Sequence, residues 1–207
     1  MAIRSVVSVC LAALALSACA GVETSSRNVT LDSPLVGAPA AVTRDYAVTE
    51  VRVEVPQALH VSEANSYYPI TDIVWRGDPM GDRHAQIAAL FDTAADRVMP
   101  GLDGSVPVVA LIQLERFHGV TERTRYSVGG TYNVIFQITV VDARTGEVVE
   151  PARQVEANLP APGGNAAIAL EQSGQTERVR MIDFLSFVLA RELGPRTVPG
   201  GPEPLAL

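Results

Sequence analysis

The chain has 207 residues, of which 47% are hydrophobic, 19% are charged and 5% are aromatic, and 23 acidic against 16 basic residues give a net charge of −7. The apolar fraction is too high for a disordered chain, and the acidic balance argues against a nucleic-acid-binding surface. All the basic residues are arginines, so no lysine amine is present for a Schiff base or for the phosphate-binding loop of an ATPase.

The first element of the chain is predicted to be a secretory signal. Arg4 supplies a positive charge, residues 6–16 form an apolar run, and small residues follow it. This run is shorter than the roughly 20 apolar residues that a transmembrane helix needs. Both cysteines, Cys10 and Cys19, lie in this region. We expect cleavage before Cys19, which leaves one thiol in the mature chain and hence no internal disulfide or cysteine-based metal site.

Residues 16–19 read Leu-Ser-Ala-Cys, which resembles the lipobox of bacterial lipoproteins. The resemblance implies that residues 1–18 are a lipoprotein signal peptide and that Cys19 is acylated, so that the lipid bilayer is a partner of the mature chain. Ala20 stands where lipoproteins retained in the inner membrane carry Asp. By this resemblance we expect the periplasmic leaflet of the outer membrane, with the inner membrane as the alternative. A plain secretory signal that ends in a chance cysteine is the other interpretation of these residues.

Residues 19–45 are rich in Ser, Thr, Pro, Gly and Ala without a sustained period, which is typical of a flexible tether. The folded part is predicted to be one domain over residues 46–194. Residues 195–207 are rich in Pro and Gly and are predicted to form a disordered tail.

The first half of the domain is predicted to contain two strands and a helix. Apolar and polar residues alternate over 51–55, and 70–75 is a weaker strand candidate. Apolar residues then recur at helical spacing over 87–98. Asp78 with the proline that follows it, or Asp82, is the predicted N-cap, and Pro-Gly after residue 99 ends the helix.

The second half is predicted to contain three strands and a helix. Residues 106–117 open with an almost unbroken apolar run, as expected for a central strand. Residues 126–142 and 147–158 form a hairpin around a glycine turn, and a glycine pair at 129–130 suggests a bulge or bend. The last helix covers 175–193. The predicted fold class is α+β: a mainly antiparallel sheet of four to five strands with two helices packed on one face.

The densest polar stretch covers residues 72–84, around the predicted start of the first helix. A helix N-terminus with arginines could bind an anion, and the carboxylates could bind a cation, although their spacing is not that of an EF-hand. The alternative is structural: Asp caps the helix, Arg pairs with Asp, and Trp packs in the core. The residues predicted to form a ligand or partner surface are Trp75, Arg76, Asp78, Asp82, Arg83 and His84.

No catalytic residues, metal ligands or cofactor are predicted. His60, His84 and His118 lie in different elements without ligand spacing, and no nucleophile-elbow motif is present. We therefore expect a protein that is not an enzyme.

The lipobox, the element order and the turn at 142–147 together resemble uncharacterised envelope lipoproteins of bacteria, among them auxiliary lipoproteins of lipid and lipopolysaccharide transport systems. The function implied is that of a membrane-anchored periplasmic lipoprotein acting as a non-catalytic binding or assembly module, with an envelope protein or a lipid as its partner and no nucleic acid. Two alternatives stay open. One is a periplasmic hydrolase with a site around residues 72–84, and the other is a structural envelope lipoprotein without a ligand.

Overall fold

The computed structural model describes residues 42–195 and 197–198. The predicted signal peptide, Cys19, the tether up to residue 41 and most of the predicted tail therefore lie outside the described residues. All the described elements belong to one unit of the chain, Pro39–Leu207.

The elements follow each other in a mixed order of strands and helices. They are β1 (Val42–Thr43), β2 (Tyr46–Glu54), β3 (Ile73–Val74), α1 (Arg83–Val98), β4 (Val106–His118), α2 (Glu122–Arg125), β5 (Gly130–Asp142), β6 (Val148–Ala161), α3 (Asn165–Gln172), α4 (Glu177–Leu193) and β7 (Thr197–Val198). A short 3-10 turn, Met99–Gly101, follows α1. The predicted strands and both predicted long helices are present, and the α+β class is confirmed.

The main sheet is built around β4. Strand β4 pairs antiparallel with β5, and β5 pairs antiparallel with β6, so the long hairpin predicted from the sequence is confirmed. On its other side β4 pairs in parallel with β2 over its first half and with the two-residue strand β3 at its far end. The helix α1 lies in the crossover between β2 and β4, as a parallel pairing requires. The sheet is thus mainly antiparallel, with a parallel strand pairing that the sequence did not predict.

The hydrophobic core lies between the sheet and the helices α1 and α4, which pack against each other. Phe91 of α1 meets Phe136 of β5 edge to face, with ring centroids 5.6 Å apart. Met181, Leu185 and Leu189 of α4 are buried in the same core. Every second residue of β5 faces it, which explains the alternating pattern seen in the sequence.

The structure differs from the predicted elements in three places. Strand β5 begins at Gly130 rather than at residue 126, because the short helix α2 and a turn come first. Gly129 in this turn has φ +74°, and a Cβ atom there would lie 2.5 Å from the carbonyl oxygen of Ala161. The helix α3 was not predicted, because its eight residues are too few to show a clear period. In addition, the pairing of β1 with β7 brings part of the predicted tether and tail into regular structure.

Between β2 and β3 the chain forms a long connection without helix or strand. We call residues 62–72 the presenting loop. Backbone hydrogen bonds close its base, because Ser62 N donates to Ile73 O at 3.0 Å and Phe117 N donates to Asp72 O at 3.0 Å. Strand β3, which follows the loop, pairs with residues 117–118 at the end of β4, whereas the start of β2 pairs with residue 106 at the beginning of β4. The loop and the start of β2 therefore lie at opposite ends of β4, about 40 Å apart at the usual rise per residue of a strand.

Candidate functional site

Trp75 and Asp78, the first of the predicted site residues, join the core to α4. Trp75 is 1% exposed, its ring packs edge to face on Phe117 with centroids 5.6 Å apart, and its Nε1 donates to Asp78 Oδ2 at 2.7 Å. Arg178 of α4 donates to both carboxylate oxygens of Asp78, at 2.8 and 2.7 Å. The carboxylate of Asp78 is therefore held by partners within the fold.

Asp82 and His84 form the start of α1. Asp82 is the N-cap, because its side chain accepts a hydrogen bond from Ala85 N at 3.0 Å. Of the two caps that the sequence left open, Asp82 is the one used. His84 Nε2 lies 3.1 Å from the carbonyl oxygen of Leu59, and its Nδ1 lies 4.0 Å from Asp82 Oδ1. Both side chains thus fix the local backbone around the helix start.

Arg76 and Arg83 hold a carboxylate, and that carboxylate belongs to the chain itself. Arg83 is 3% exposed, and its Nε and Nη2 donate to the two carboxylate oxygens of Glu63 at 2.8 and 3.2 Å. Arg76 Nη1 also donates to Glu63. These two guanidinium charges lower the pKa of Glu63, with the hydrogen bond from Arg83 as the largest cause. The anion expected at this helix start is therefore present as Glu63, the second residue of the presenting loop.

Further along, the presenting loop is held through its backbone. Thr121 Oγ1 donates to Ser66 O at 2.8 Å, and Thr124 Oγ1 donates to Tyr67 O at 3.2 Å. In its Nε2–H tautomer, His118 donates to the carbonyl oxygen of Pro69 at 2.9 Å. Three carbonyl groups of the loop, at residues 66, 67 and 69, are thus held by side chains from one neighbouring segment of the chain, residues 118–124.

Despite these contacts, the loop turns large apolar side chains toward solvent. Tyr68 is 86% exposed and Ile70 is fully exposed. Single exposed apolar side chains are common on protein surfaces, whereas apolar side chains grouped in one patch mark contact surfaces. The two side chains therefore extend from a backbone that is held in place, and in general such preorganisation lowers the entropy cost of binding.

Two arginines flank the exposed side chains. The guanidinium of Arg123 lies over the ring of Tyr67, 4.8 Å from its centroid. Arg116 is exposed at the end of β4 and, with Ile70, lines a cleft of about 470 Å³. The loop surface thus combines an aliphatic side chain with aromatic and guanidinium groups, and the latter two are enriched in the energetically important parts of protein interfaces.

A buried charged cluster ties α2 to α4 beneath this surface. Arg125 of α2 pairs with Glu177 of α4, and with Glu171 of α3 at 3.1 Å. The hydroxyl group of Tyr132 donates to Glu177. Burial raises the pKa of Tyr132 to about 12. The cavity beside these residues has a volume of only about 10 Å³, room for one water molecule. The cluster therefore fixes α2, which carries the threonine of position 124 that holds the presenting loop.

The site residues predicted from the sequence lie beside the presenting loop and the start of α1, and they do not include the side chains that the loop exposes. Tyr68, Ile70, Arg116 and Arg123 were not singled out, because exposure cannot be read from residue type alone. One signal was available: the two adjacent tyrosines at 67–68, in a chain with 5% aromatic residues, lie in a stretch without a strand or helix pattern.

Within residues 42–195, no three histidine, cysteine or carboxylate side chains come close enough together to bind a metal ion. None of the helices in the described part of the chain is both long enough and apolar enough to span a membrane.

Several solved structures are similar to this chain. One is a protein of family DUF330 from Xanthomonas campestris, with 11% identity over 73% of this chain and 82% of that chain and a TM-score of 0.43. A minor lipoprotein from Acinetobacter baumannii has 10% identity, coverage of 72% and 97%, and a TM-score of 0.31. A hypothetical protein from Chlamydia trachomatis has 12% identity, coverage of 72% and 97%, and a TM-score of 0.35.

No curated protein matches this chain. The model of a family of unknown function, DUF6778, matches residues 46–201, which include all the strands of the main sheet and the presenting loop, and the chain therefore belongs to this family.

Proposed function

We propose that the protein is a lipid-anchored lipoprotein of the bacterial envelope that binds another envelope component and does not transform a substrate. The anchor rests on the lipobox that ends at Cys19. An acylated cysteine followed by a tether keeps a folded domain at a membrane surface while leaving its contact surfaces free. The outer membrane, on its periplasmic side, is the proposed location.

The observation that carries the binding role is the presenting loop. Tyr68 and Ile70 are exposed, while side chains of residues 118–124 hold the carbonyl groups of the two residues before Tyr68 and of the residue between Tyr68 and Ile70. A loose loop would lose conformational freedom on binding, at a cost of about 1 kcal/mol or more for each residue that becomes ordered. In this loop much of that cost is met during folding, which favours a role in recognition.

The predicted site residues support the same role. Arg76 and Arg83 bind Glu63 in the loop, and Asp78 binds α4. A substrate that used these groups would have to break the contacts that keep the loop in place. We therefore assign them to positioning the loop and not to catalysis.

The loop is placed to reach a partner away from the point where the chain enters the domain. The start of β2 pairs with residue 106, and β3 pairs with residues 117–118, so the two lie at opposite ends of β4. A domain tethered through the residues that precede β2 would turn this loop away from its anchor.

Site-specific photo-crosslinking in intact cells tests the proposal. The full chain is expressed with p-benzoylphenylalanine in place of Tyr68 or, as a matched control, in place of Phe187, an exposed apolar residue on α4. We expect a discrete adduct from position 68 and none from position 187. No adduct from either position, or equal adducts from both, would contradict a binding role for the loop.

A further inference from the structure

The cleft beside the presenting loop has a mixed chemical character. It is lined by His60, Pro69, Ile70, Thr71, Asp72 and Arg116. Its apolar wall consists of the proline and the fully exposed isoleucine. Its volume of about 470 Å³ is enough for one or two side chains of a partner, but it is open at the surface.

The acidic group of the cleft already has a partner. Asp72 Oδ2 accepts a hydrogen bond from His60 N at 2.9 Å, and the ring nitrogen Nδ1 of the same histidine lies 3.3 Å away. The hydrogen bond from the His60 amide is the largest cause that lowers the pKa of Asp72. Asp72 is therefore an ionised acceptor whose contacts close the base of the loop.

Arg116, the basic group of the cleft, has no ion-pair partner within the described residues, unlike Asp72, which contacts His60. Arg116 is exposed, and across residues 44–195 no carboxylate oxygen lies within ion-pair distance of its guanidinium, although its charge contributes to lowering the pKa of Asp72 in the same cleft. A β-bulge at residue 115 interrupts β4 just before Arg116, and bulges re-aim the side chains beside them. On the other side of the loop, Arg123 contacts the face of Tyr67. The surface of an acidic chain, with net charge −7, thus carries two guanidinium groups without an ion pair beside the apolar residues that are most exposed within the described part of the chain.

We infer that this cleft binds a protein segment in which an apolar side chain stands next to a carboxylate. The apolar side chain packs on Ile70 and Pro69, and the carboxylate, from Asp, Glu or a chain terminus, pairs with Arg116. Arginine suits this role because its planar donors match the two oxygens of a carboxylate. The inference rests on the proposed binding function and names the chemical class of its partner.

A protein segment fits better than an anionic lipid surface. Two carboxylates belong to the same part of the surface: Asp72 lines the cleft with Arg116, and Glu122, the neighbour of Arg123 in α2, pairs with Arg76 at 3.7 Å. A flat layer of phosphate groups would meet these carboxylates as well as the arginines. A single side chain brings one carboxylate to Arg116 and meets only one carboxylate of the cleft, that of Asp72.

Fluorescence anisotropy with labelled peptides tests the inference. The full-length lipoprotein in detergent micelles is titrated against three peptides, in which leucine alternates with aspartate, leucine with lysine, or serine with aspartate, and protein-free micelles give the background. We expect binding of the Leu/Asp peptide only, weakened by added NaCl. Arg116→Glu should weaken it about tenfold or more, which corresponds to about 1.4 kcal/mol, and Ile70→Ser should also weaken it.

Arg144→Glu is the matched control, because Arg144 is an exposed arginine in the turn between β5 and β6. It should leave the affinity unchanged. Equal binding of the Leu/Lys peptide, an unchanged affinity in Arg116→Glu, or no binding of any peptide would overturn the inference. Binding of vesicles that contain phosphatidylglycerol, in place of the peptide, would overturn it in favour of a lipid. If a protein adduct at position 68 persists in cells in any of these cases, the proposed function stands and only the partner chemistry is wrong.

Discussion

Arg83 and Glu63 form a bidentate ion pair, with Nε–Oε1 and Nη2–Oε2 distances of 2.8 and 3.2 Å. Arg83 is the first residue of α1 and is 3% exposed, whereas Glu63 belongs to the presenting loop. The same guanidinium also donates to the carbonyl oxygens of Asp78 and Pro79, both at 3.1 Å. One buried side chain therefore connects the helix, the turn before it and the loop.

Replacement of Arg83 by Ala is expected to lower the free energy of unfolding by about 1–3 kcal/mol, because its partners lose a buried donor. The emission of Trp75, the only tryptophan of the chain and a buried one, reports unfolding in denaturant. Arg97→Ala is the control, since Arg97 forms an exposed ion pair with Asp183 and should cost at most about 0.5 kcal/mol. Equal losses in the two variants would contradict the role given to Arg83.

The two threonines that hold the loop carbonyls are expected to control its mobility. Thr121→Val with Thr124→Val removes the donors to Ser66 O and Tyr67 O while nearly preserving side-chain shape, at a cost of about 1 kcal/mol for each bond. Amide hydrogen exchange of residues 66–70 should become faster in this variant. Thr93→Val, which removes a side-chain bond within α1, should not change exchange in the loop. Unchanged exchange at 66–70 in the double variant would show that other contacts hold the loop.

Acid should destabilise the domain through a second ion-pair network. Arg44 and Tyr46 donate to Glu150, and Arg153 donates to Glu192 of α4 at 2.6 Å. Desolvation raises the pKa of both carboxyl groups, but the hydrogen bonds and the guanidinium charges outweigh it and lower each pKa below its ordinary value. Because the folded-state pKa is the lower one, this stabilisation is present above about pH 4.5 and is lost as the pH falls below it.

Denaturant unfolding at a series of pH values between about 6 and 3 measures this loss. The wild-type chain should lose stability steeply below about pH 4.5. The variant that combines Glu150→Gln with Glu192→Gln should be less stable at neutral pH and should lose less on acidification. An equally steep loss in this variant would mean that other carboxylates govern the acid response.

The proposed lipid anchor can be tested by removing the cysteine that would be acylated. Cys19→Ala removes the thiol that the lipobox resemblance identifies as the acylation site, so the variant should appear as an unprocessed precursor or in the soluble fraction. Fractionation of cells with detection of the protein measures this directly. Unchanged membrane association of the variant would disprove the anchor.

Much of the fold could be predicted because it depends on local patterns. The apolar run at the start of β4 marked the central strand, and the alternation in β5 marked a half-buried one. The parallel pairing of β2 with β4 could not be predicted in the same way. The parallel pairing depends on how the connection through α1 packs against the sheet. The residues of β2 alone do not determine that packing.

The candidate site was only partly predictable for a related reason. Residue types at 75–84 indicated a polar cluster at a helix start, and the structure contains one. The carboxylate that it binds, Glu63, lies twenty residues before Arg83, in a stretch without any periodic pattern. Long-range partners of this kind follow from tertiary packing, as does the exposure of Tyr68 and Ile70.

The most direct test of this account measures whether the fixed loop, and not merely an exposed tyrosine, makes the contact. The crosslinker at position 68 is placed in the wild-type chain and in the chain with Thr121→Val and Thr124→Val, and the adduct formed in cells is compared at equal protein levels. The account predicts a discrete adduct in the wild-type background that is clearly reduced when the threonine donors are absent. An equal yield in both backgrounds, or no adduct in either, would contradict it.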